Sequence, residues 1–326
     1  MNKNNSLLLD SNYNSSQLQS TGLSGSLPDT ISNLKNLKVF HTDSNRLTGT
    51  IPDALWTLTG LSELYLGTNL FTGTLSPNVS NLTQLTQFEC SNTKLTGQIP
   101  STLWDLTSLT ILNIGLNEFT GTLPEAIGNL TSLTQLNLKS SPSSNQYQLS
   151  GTLPDSIWTL VHLQFFYFSY NKFEGTLPES ITNFVNLTIF DASSNLLNGT
   201  VPSDFYLLPQ LNTVFLSNNK FIGTLPESFP NYDKLLNIQL NNNLFSGTVP
   251  SYFQNSSNSL GSSILTANPL LCPVYPSWAT DDPLSATCGS LSLFPTVFPF
   301  FTHPGANRIL ENRVCEAGIC FHGWRK

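Results

Sequence analysis

The strongest constraint on the fold is a short motif that returns at a fixed interval. The hexamer LTGTIP at 47–52 recurs in recognisable form along most of the chain. Its leading apolar residue is separated from the next by 24 residues in eight of nine intervals and by 30 in the other. These positions are Leu23, Leu47, Phe71, Leu95, Phe119, Leu149, Phe173, Leu197, Phe221 and Phe245. A constant period of this length predicts a solenoid, in which stacked coils share one continuous core.

Each position of the repeat suits a particular local structure. Glycine follows two residues after the leading apolar residue in all ten units, which predicts a positive φ or close packing between coils. Proline follows three residues later in nine units, and the third unit has Pro77 one position on. It ends a short extended piece and begins an outer segment of short helix or 3₁₀ turn. The later LxxLxL alternates with period two and predicts a short strand.

A row of asparagines follows the predicted strands. It comprises Asn45, Asn69, Asn117, Asn171, Asn195, Asn219, Asn243 and Asn268. We expect these side chains to bond backbone groups that the turn exposes. Thr93 is predicted to break the row, and so is the fifth unit, where 139–148 carries six extra residues and predicts a polar loop. Cys90 occupies a core strand position and is expected to be a buried free thiol.

The unit LxxLxxLxLxxNxLxGxIPxx resembles the plant-specific class of leucine-rich repeats, as LTSLTILNIGLNEFTGTLPEAIGNL from Leu106 illustrates. The resemblance covers residue 18 to about 272. It implies an α/β solenoid: a right-handed superhelix with a parallel concave β-sheet, a second smaller sheet, and short helices or 3₁₀ turns on the convex side. The family includes receptor-kinase ectodomains and polygalacturonase inhibitors, which bind peptides, proteins or cell-wall enzymes.

Four segments follow from this alignment. Residues 1–17 form an incomplete N-terminal segment, 18–268 the array of about ten repeats, and 269–289 a C-terminal cap. The resemblance implies a cap disulfide between Cys272 and Cys288. The tail, 290–326, is expected to be disordered, and a disulfide between Cys315 and Cys320 is preferred there to a metal site with His322.

The composition of the chain restricts the classes of molecule that it could bind. Charged residues make up 10% of the chain and the formal net charge is −7, with no basic stripe, which argues against nucleic-acid binding. The opening residues lack the apolar core of a signal peptide, and the apolar run 291–301 is too short to span a bilayer. Cysteine usage and the sequons nevertheless predict an extracellular or cell-surface protein. The sequons begin at Asn4, Asn14, Asn78, Asn81, Asn129, Asn186, Asn198 and Asn255.

The binding site is predicted on the concave sheet, where residues between the strand leucines face outward. Aromatic and apolar residues gather on three neighbouring strands, and exposed aromatic clusters commonly mark binding hot spots. The predicted ligand-binding residues are Tyr65, Glu89, Phe165, Tyr167, Asp191 and Phe215. Glu89 and Asp191 lie four strands apart, roughly 20 Å, which is too far for a paired acid and base. We therefore expect no catalysis, no metal and no cofactor.

A second row has threonine after the conserved glycine in eight of ten units. A flat threonine row could order water or an ice-like lattice, but β-branched residues also simply suit strands. The favoured hypothesis is an extracellular recognition module for a protein, peptide or glycan. The alternatives are an inhibitor of a secreted polygalacturonase-type glycosidase and a structural or adhesion spacer of a cell coat.

Overall fold

The computed structural model describes residues 14–143, 146–226, 236–250, 265–272, 315–316 and 319–320. Asn4, Cys288, Asn255 and His322 lie outside these ranges, as do the side chains of Cys272, Cys315 and Cys320. The two predicted disulfides therefore stay predictions. The chain divides into one unit at 1–274 and a second at 275–326.

The repeats build a parallel ten-stranded sheet from the LxxLxL segments. Its strands follow one another in chain order, and every neighbouring pair is parallel, as the repeat predicts. They are β1 (Ser15–Gln17), β3 (Val39–His41), β5 (Glu63–Tyr65), β7 (Gln87–Glu89), β9 (Ile111–Asn113), β11 (Gln135–Asn137), β13 (Phe165–Tyr167), β15 (Ile189–Asp191), β17 (Thr213–Phe215) and β19 (Asn237–Gln239). Residues one repeat apart lie directly opposite each other, including Gln135 and Phe165 across the insertion.

The glycine-containing segments form two further parallel sheets. The five-stranded sheet contains β2 (Ser24–Gly25), β4 (Arg46–Gly49), β6 (Leu70–Thr74), β8 (Lys94–Gln98) and β10 (Glu118–Thr120). The six-stranded sheet contains β12 (Ser150–Thr152), β14 (Lys172–Thr176), β16 (Leu196–Thr200), β18 (Lys220–Thr224), β20 (Leu244–Thr248) and β21 (Leu270–Cys272). A single bridge between Gly121 and Leu149 connects them, because the extra residues of the fifth unit interrupt the pairing there.

Short 3₁₀ helices connect the two layers of strands. They are Asp29–Asn33, Asp53–Thr57, Pro77–Asn81, Ser101–Asp105, Glu125–Asn129, Asp155–Thr159, Glu179–Asn183 and Ser203–Leu207. A proline immediately precedes seven of them, for example the extended Pro52 with φ −71° and ψ 143°. In the third unit Ser76 takes that place, and its hydroxyl accepts a hydrogen bond from the Asn78 backbone N–H. The displaced proline noticed in the sequence thus leaves the start of the helix unchanged.

The core alternates large and small residues with a period of two coils, which the sequence analysis did not detect. At one position of the 3₁₀ helices, four coils have a buried aromatic residue and four have a small one. The aromatic residues are Trp56, Trp104, Trp158 and Tyr206, and the small residues are Ser32, Ser80, Gly128 and Thr182. A methyl group on Gly128 would lie 2.6 Å from the Ser156 Cβ of the next coil. Bulk on one coil is therefore matched by a small residue on its neighbours, as close packing requires.

The asparagine row, six of whose eight side chains are buried, ties successive coils together. The Asn69 amide nitrogen donates to the Thr42 carbonyl of the preceding coil and to the Leu66 carbonyl of its own coil, each at 2.9 Å. Its amide oxygen accepts from the Leu47 N–H at 2.9 Å. Thr68, just before it, has φ +50°, so the chain turns sharply at this point. The same pattern holds at Asn45, Asn117, Asn171, Asn195, Asn219, Asn243 and Asn268.

Thr93 interrupts the row, as predicted. Its side chain is buried, and its hydroxyl is within hydrogen-bonding reach of the Asn117 amide oxygen in the next coil and of the Cys90 carbonyl in its own coil. A hydroxyl is too short to reproduce every bond of a carboxamide, and among the described residues the Thr93 side chain makes no hydrogen bond to the preceding coil. Cys90, three residues earlier, is a buried free thiol, as predicted, and burial raises its pKa.

The strands extend slightly beyond the predicted array. The ten-stranded sheet begins at Ser15, within the segment that the sequence analysis assigned to an incomplete N-terminus. The six-stranded sheet continues to Cys272, four residues into the predicted cap. In the second unit, the described residues of the predicted tail form one antiparallel pair, β22 (Cys315–Glu316) with β23 (Ile319–Cys320).

Seven of the ten repeat glycines combine a positive φ with close packing against a threonine of the preceding coil. Gly73 has φ +85°, and a Cβ added there would lie 2.9 Å from the Thr50 methyl carbon of the preceding coil. Both reasons that the sequence analysis offered for glycine therefore apply at this position.

We predict that Asn69→Ala lowers the free energy of unfolding by about 3 kcal/mol or more. The substitution removes bonds worth about 1 kcal/mol each and leaves buried backbone groups without partners. Urea unfolding measures the effect. Asn237→Ala, on an exposed strand position, serves as the control and should change stability by no more than about 0.5 kcal/mol. Equal effects of the two substitutions would contradict the role of the row.

We predict that Gly73→Ala is more destabilising than Gly25→Ala. Both glycines have positive φ, which costs a side chain about 1–2 kcal/mol, but only Gly73 would clash with a neighbour, since nothing lies within 4 Å of a Cβ at Gly25. Adding Thr50→Ser removes the clashing methyl group and should recover part of the loss in Gly73→Ala. The free energies of unfolding of Gly73→Ala, Gly25→Ala, Thr50→Ser and the double variant Gly73→Ala/Thr50→Ser decide the matter, and no recovery would argue against the packing explanation.

Candidate functional site

The solvent side of the ten-stranded sheet, which we call the open face, presents two side chains from each strand. The middle residue of each strand is buried, and the first and third face outward, as the alternation predicted. Because the register is kept in whole repeats, equivalent residues form straight columns. The six predicted ligand-binding residues all lie on this face, but the structure places them in very different surroundings.

On strands β3 and β5 the outward side chains bond to one another. The His41 Nε2 and Glu63 Oε2 atoms are 3.1 Å apart, and the His41 and Tyr65 rings meet edge to face with centroids 4.1 Å apart. The Tyr65 hydroxyl donates to the Gln87 side-chain oxygen on the next strand. Tyr65, predicted to contact a ligand, therefore has its polar group already engaged within the sheet.

Glu89 is likewise held by its neighbours. Its carboxylate accepts from the Ser91 N–H at 3.0 Å, from the Ser91 hydroxyl and from the Asn113 amide nitrogen on strand β9. Burial raises the pKa of Glu89, and these hydrogen bonds oppose that effect. Glu89 therefore supports the local structure of the sheet and is not a freely exposed carboxylate.

Asp191 is buried, whereas the sequence analysis placed it among side chains that project from the sheet. Only 5% of its surface is exposed. Its carboxylate accepts from the Ser169 hydroxyl at 2.7 Å and from the Ser193 hydroxyl and N–H at 2.6 and 3.1 Å. A short acid is covered here because serines on both sides and the taller aromatic residues of adjacent strands surround it. Asp191 therefore forms the floor of the face rather than a protruding contact.

Tyr167 and Phe215 flank this buried acid. Tyr167 is paired with Asp191 and Asp191 with Phe215, so the two rings stand two strands apart, roughly 10 Å. Phe165 and Ile189 form a parallel pair two positions earlier on their strands. We call these four residues, Phe165, Tyr167, Ile189 and Phe215, the aromatic patch. All four side chains are partly exposed, whereas Asp191 between Tyr167 and Phe215 is buried.

The polar group of Tyr167 is free to meet a ligand. In the described part of the chain its hydroxyl has no hydrogen-bond partner, in contrast to that of Tyr65. Burial, and then the negative charge of Asp191, raise its pKa, so the hydroxyl remains a donor at neutral pH. Of the six predicted residues, the structure thus brings Phe165, Tyr167 and Phe215 together at an accessible place.

Two residues beside the patch escaped the sequence analysis. Lys139, the first residue of the insertion, lies with its Nζ atom 4.0 Å from Asp191 Oδ2 and 5.4 Å from the centre of the Tyr170 ring. Tyr170 has φ +59°, an uncommon conformation for a bulky side chain. The sequence signal for Tyr170 was its position in the turn that ends the strand. Most other coils have serine, threonine or asparagine there.

The threonine row is exposed but staggered. In the five- and six-stranded sheets residues pair with those 22 positions later rather than 24, as Thr74 does with Thr96 and Thr176 with Asn198, except between the last two strands, where Thr248 pairs with Cys272. Equivalent threonines are therefore two residues out of step between adjacent strands, about 8 Å apart rather than about 4.8 Å. Their neighbours across the sheet include Glu174 and Ile222. This mixture favours the simple structural reason for threonine, that it suits strands.

The described residues contain no group of three or more His, Cys, Asp and Glu side chains arranged to hold a metal ion. Within the same residues, no helix has the length and apolar character needed to cross a membrane.

Comparison with known proteins agrees with this architecture. The Leucine Rich Repeat family model matches residues 108–130, 162–184 and 210–232. No curated protein sequence matches the chain. One similar solved structure is the LRR ectodomain of the membrane receptor kinase GASSHO1/SCHENGEN3 from Arabidopsis thaliana in complex with CASPARIAN STRIP INTEGRITY FACTOR 2. It has 35% identity and a TM-score of 0.65, over 72% of this chain and 27% of that one.

Two further structures extend the comparison. The plant peptide hormone receptor RGFR1 in complex with RGF2 has 30% identity and a TM-score of 0.66, over 73% of this chain and 37% of that one. A plant ice-binding protein has 25% identity and a TM-score of 0.63, over 77% of this chain and 78% of that one. The chain thus spans less than two thirds of either receptor structure. With the repeat geometry above, these findings show that it is a leucine-rich repeat protein of the plant type.

We predict that Glu89→Gln removes part of the pH dependence of stability. Because the pKa of Glu89 is raised in the folded state, the folded chain binds more protons than the unfolded chain above pH 4.5. The wild type therefore gains stability as the pH falls from neutral towards 4.5, and loses it as the pH rises. Urea unfolding at several pH values should show the wild type gaining stability relative to Glu89→Gln as the solution is acidified; a constant difference would contradict the assignment.

Proposed function

We propose that this protein is a non-catalytic recognition module that binds an extended peptide segment on the aromatic patch of the open face. The observation that carries the proposal is the arrangement of Tyr167 and Phe215 on either side of the buried Asp191. Two partly exposed rings, one of them with a hydroxyl that has no partner among the described residues, stand two strands apart, roughly 10 Å, over a buried acid. Aromatic residues placed in this way supply large contact areas at low entropic cost.

The neighbouring strands support an elongated ligand. Straight columns of outward side chains run from β3 to β19, and strands about 4.8 Å apart offer successive contacts to an extended chain. The two similar receptor structures described above are complexes, one of a membrane receptor kinase and one of a peptide hormone receptor. By analogy, a peptide is a better candidate than a glycan or a secreted glycosidase.

We also propose that the protein works at the cell surface or outside the cell, and that it has N-linked glycans. Asn78, Asn81 and Asn129 are exposed on the 3₁₀ helices, and Asn198 is exposed on the six-stranded sheet. Asn186 is exposed too, although its amide nitrogen donates to the Val161 carbonyl at 3.1 Å. None of these five asparagines lies on the open face, so glycans on them would leave the aromatic patch accessible.

Ice binding, named for one similar structure, is the weaker candidate. The exposed threonine row would be the surface concerned. Its stagger and the interruption of the sheets between Gly121 and Leu149 oppose the regular spacing that a lattice needs. A glycan on Asn198, which is paired with Thr176, would cover the middle of the row.

We predict that Tyr167→Ala and Phe215→Ala each weaken peptide binding by about thirtyfold, as expected for a hot spot of about 2 kcal/mol. The probe is a set of linear peptides selected from a random dodecapeptide display library on the full chain. Their dissociation constants are then measured by calorimetry against the wild type and each variant.

Ile222→Ala is the matched control, because it removes an exposed apolar side chain from the six-stranded sheet, away from the open face. It should leave binding unchanged, and thermal unfolding should show that all variants fold. If the library gives no saturable binder, or if binders ignore Tyr167 and Phe215, the proposed site is wrong. A spacer would give the first result, and an inhibitor would slow a pectin-degrading enzyme in a direct assay.

A further inference from the structure

We infer that Lys139 determines ligand specificity by binding the side-chain carboxylate of an Asp or Glu in the peptide. This inference rests on the proposed function, because it concerns the same ligand on the same face. It goes further in assigning a chemical requirement to the ligand and a role to Lys139.

Lys139 is a long cation at a repeat position where most coils have a short side chain. The corresponding residues of six other coils are Gly67, Ser91, Gly115, Ser169, Ser193 and Ser217. Lys139 is tied into the sheet through its backbone, since its N–H donates to the Asn137 side-chain oxygen at 3.0 Å and its carbonyl accepts from the Leu116 N–H. The root of the side chain is therefore fixed beside the aromatic patch.

The ammonium group of Lys139 lies near Asp191 but does not donate a hydrogen bond to it. The distance from Nζ to Asp191 Oδ2 is 4.0 Å, which is longer than a hydrogen bond. Asp191 already accepts from Ser169 and Ser193. Within the described chain, Lys139 Nζ has no hydrogen-bond acceptor, so all three of its N–H donors remain available.

The surroundings of Lys139 favour an anionic ligand group over water alone. Its side chain is 33% exposed, and the Tyr170 ring 5.4 Å away limits hydration on one side. A partly desolvated ammonium group binds a carboxylate through charge-assisted hydrogen bonds, which are about twice as strong as neutral ones. The electrostatic attraction of Asp191 keeps the ammonium group in place between binding events.

The charge distribution on the open face indicates where the acid of the ligand must lie. From β9 onward, Lys139 and Asp191 are the only charged residues that the structure describes on this face. Asp191 is buried and fully bonded, so Lys139 is the one accessible charge in that described region. It lies next to the aromatic patch, which predicts an acidic residue one or two positions from an apolar residue in the ligand.

A double-mutant cycle tests the inference with the peptides selected on the wild-type chain. The selected sequences should share an Asp or Glu near an apolar residue. Lys139→Met should weaken their binding at least about tenfold, and replacing the peptide acid by its amide should weaken binding to the wild type equally. The two changes together should cost no more than either alone, because both remove the same contact.

A charge-reversal variant of Lys139 and a control substitution at a distant lysine complete the experiment. Selection of the library on Lys139→Glu should replace the acidic residue of the consensus by Lys or Arg. Lys172→Met, on strand β14 of the six-stranded sheet, should leave binding unchanged. Thermal unfolding shows whether each variant is folded. If Lys139→Glu fails to fold because its carboxylate lies beside Asp191, the result for Lys139→Met still decides the test.

The outcomes separate this inference from the proposed function. If Tyr167→Ala abolishes binding while Lys139→Met and the amide peptide do not, the recognition site stands and the role of Lys139 is refuted. Independent, additive effects of Lys139→Met and the amide peptide would also refute it. If no peptide binds the open face at all, the proposed function itself is wrong.

Discussion

The structure depends on the hydrogen bonds of the buried asparagine row. Each side chain such as Asn69 bonds a carbonyl of its own coil, a carbonyl of the preceding coil and an N–H that the sharp turn would otherwise leave unpaired. A buried polar backbone group without a partner costs about 1–3 kcal/mol, so each such side chain stabilises its turn and the contact with the preceding coil. The row therefore helps to fix the spacing and register of the coils that have it.

That register is what creates a usable surface. Whole-repeat pairing in the ten-stranded sheet lines up residues from distant parts of the sequence, so that Tyr167, Asp191 and Phe215 become neighbours. The second layer of strands has the same repeat but pairs with an offset of two residues, which disperses its threonines. Equivalent side chains are thus aligned on the ten-stranded sheet and staggered on the second layer, because the backbone hydrogen bonds of the two layers connect residues at different sequence separations.

Core packing inside the solenoid has a period of two coils, whereas the sequence repeat has a period of one. Trp56 and Trp104 stand two coils apart, with Ser80 at the same position between them. A single-repeat consensus averages such positions and conceals the alternation. The insertion at 139–148 is also more than a tolerated bulge, because it interrupts the second layer of strands.

The sequence by itself determined the coil, its strand and turn, the columns of the open face and the need for glycine, because each rests on short-range periodicity and backbone conformation. It also placed Phe165, Tyr167 and Phe215 on the open face, where the structure has them. Only the tertiary structure decided that Glu89 and Tyr65 bond within the sheet, that Asp191 is buried, and that Lys139 remains available. These outcomes depend on side-chain lengths and on contacts between residues in different coils, such as Lys139 and Asp191, which no local pattern encodes.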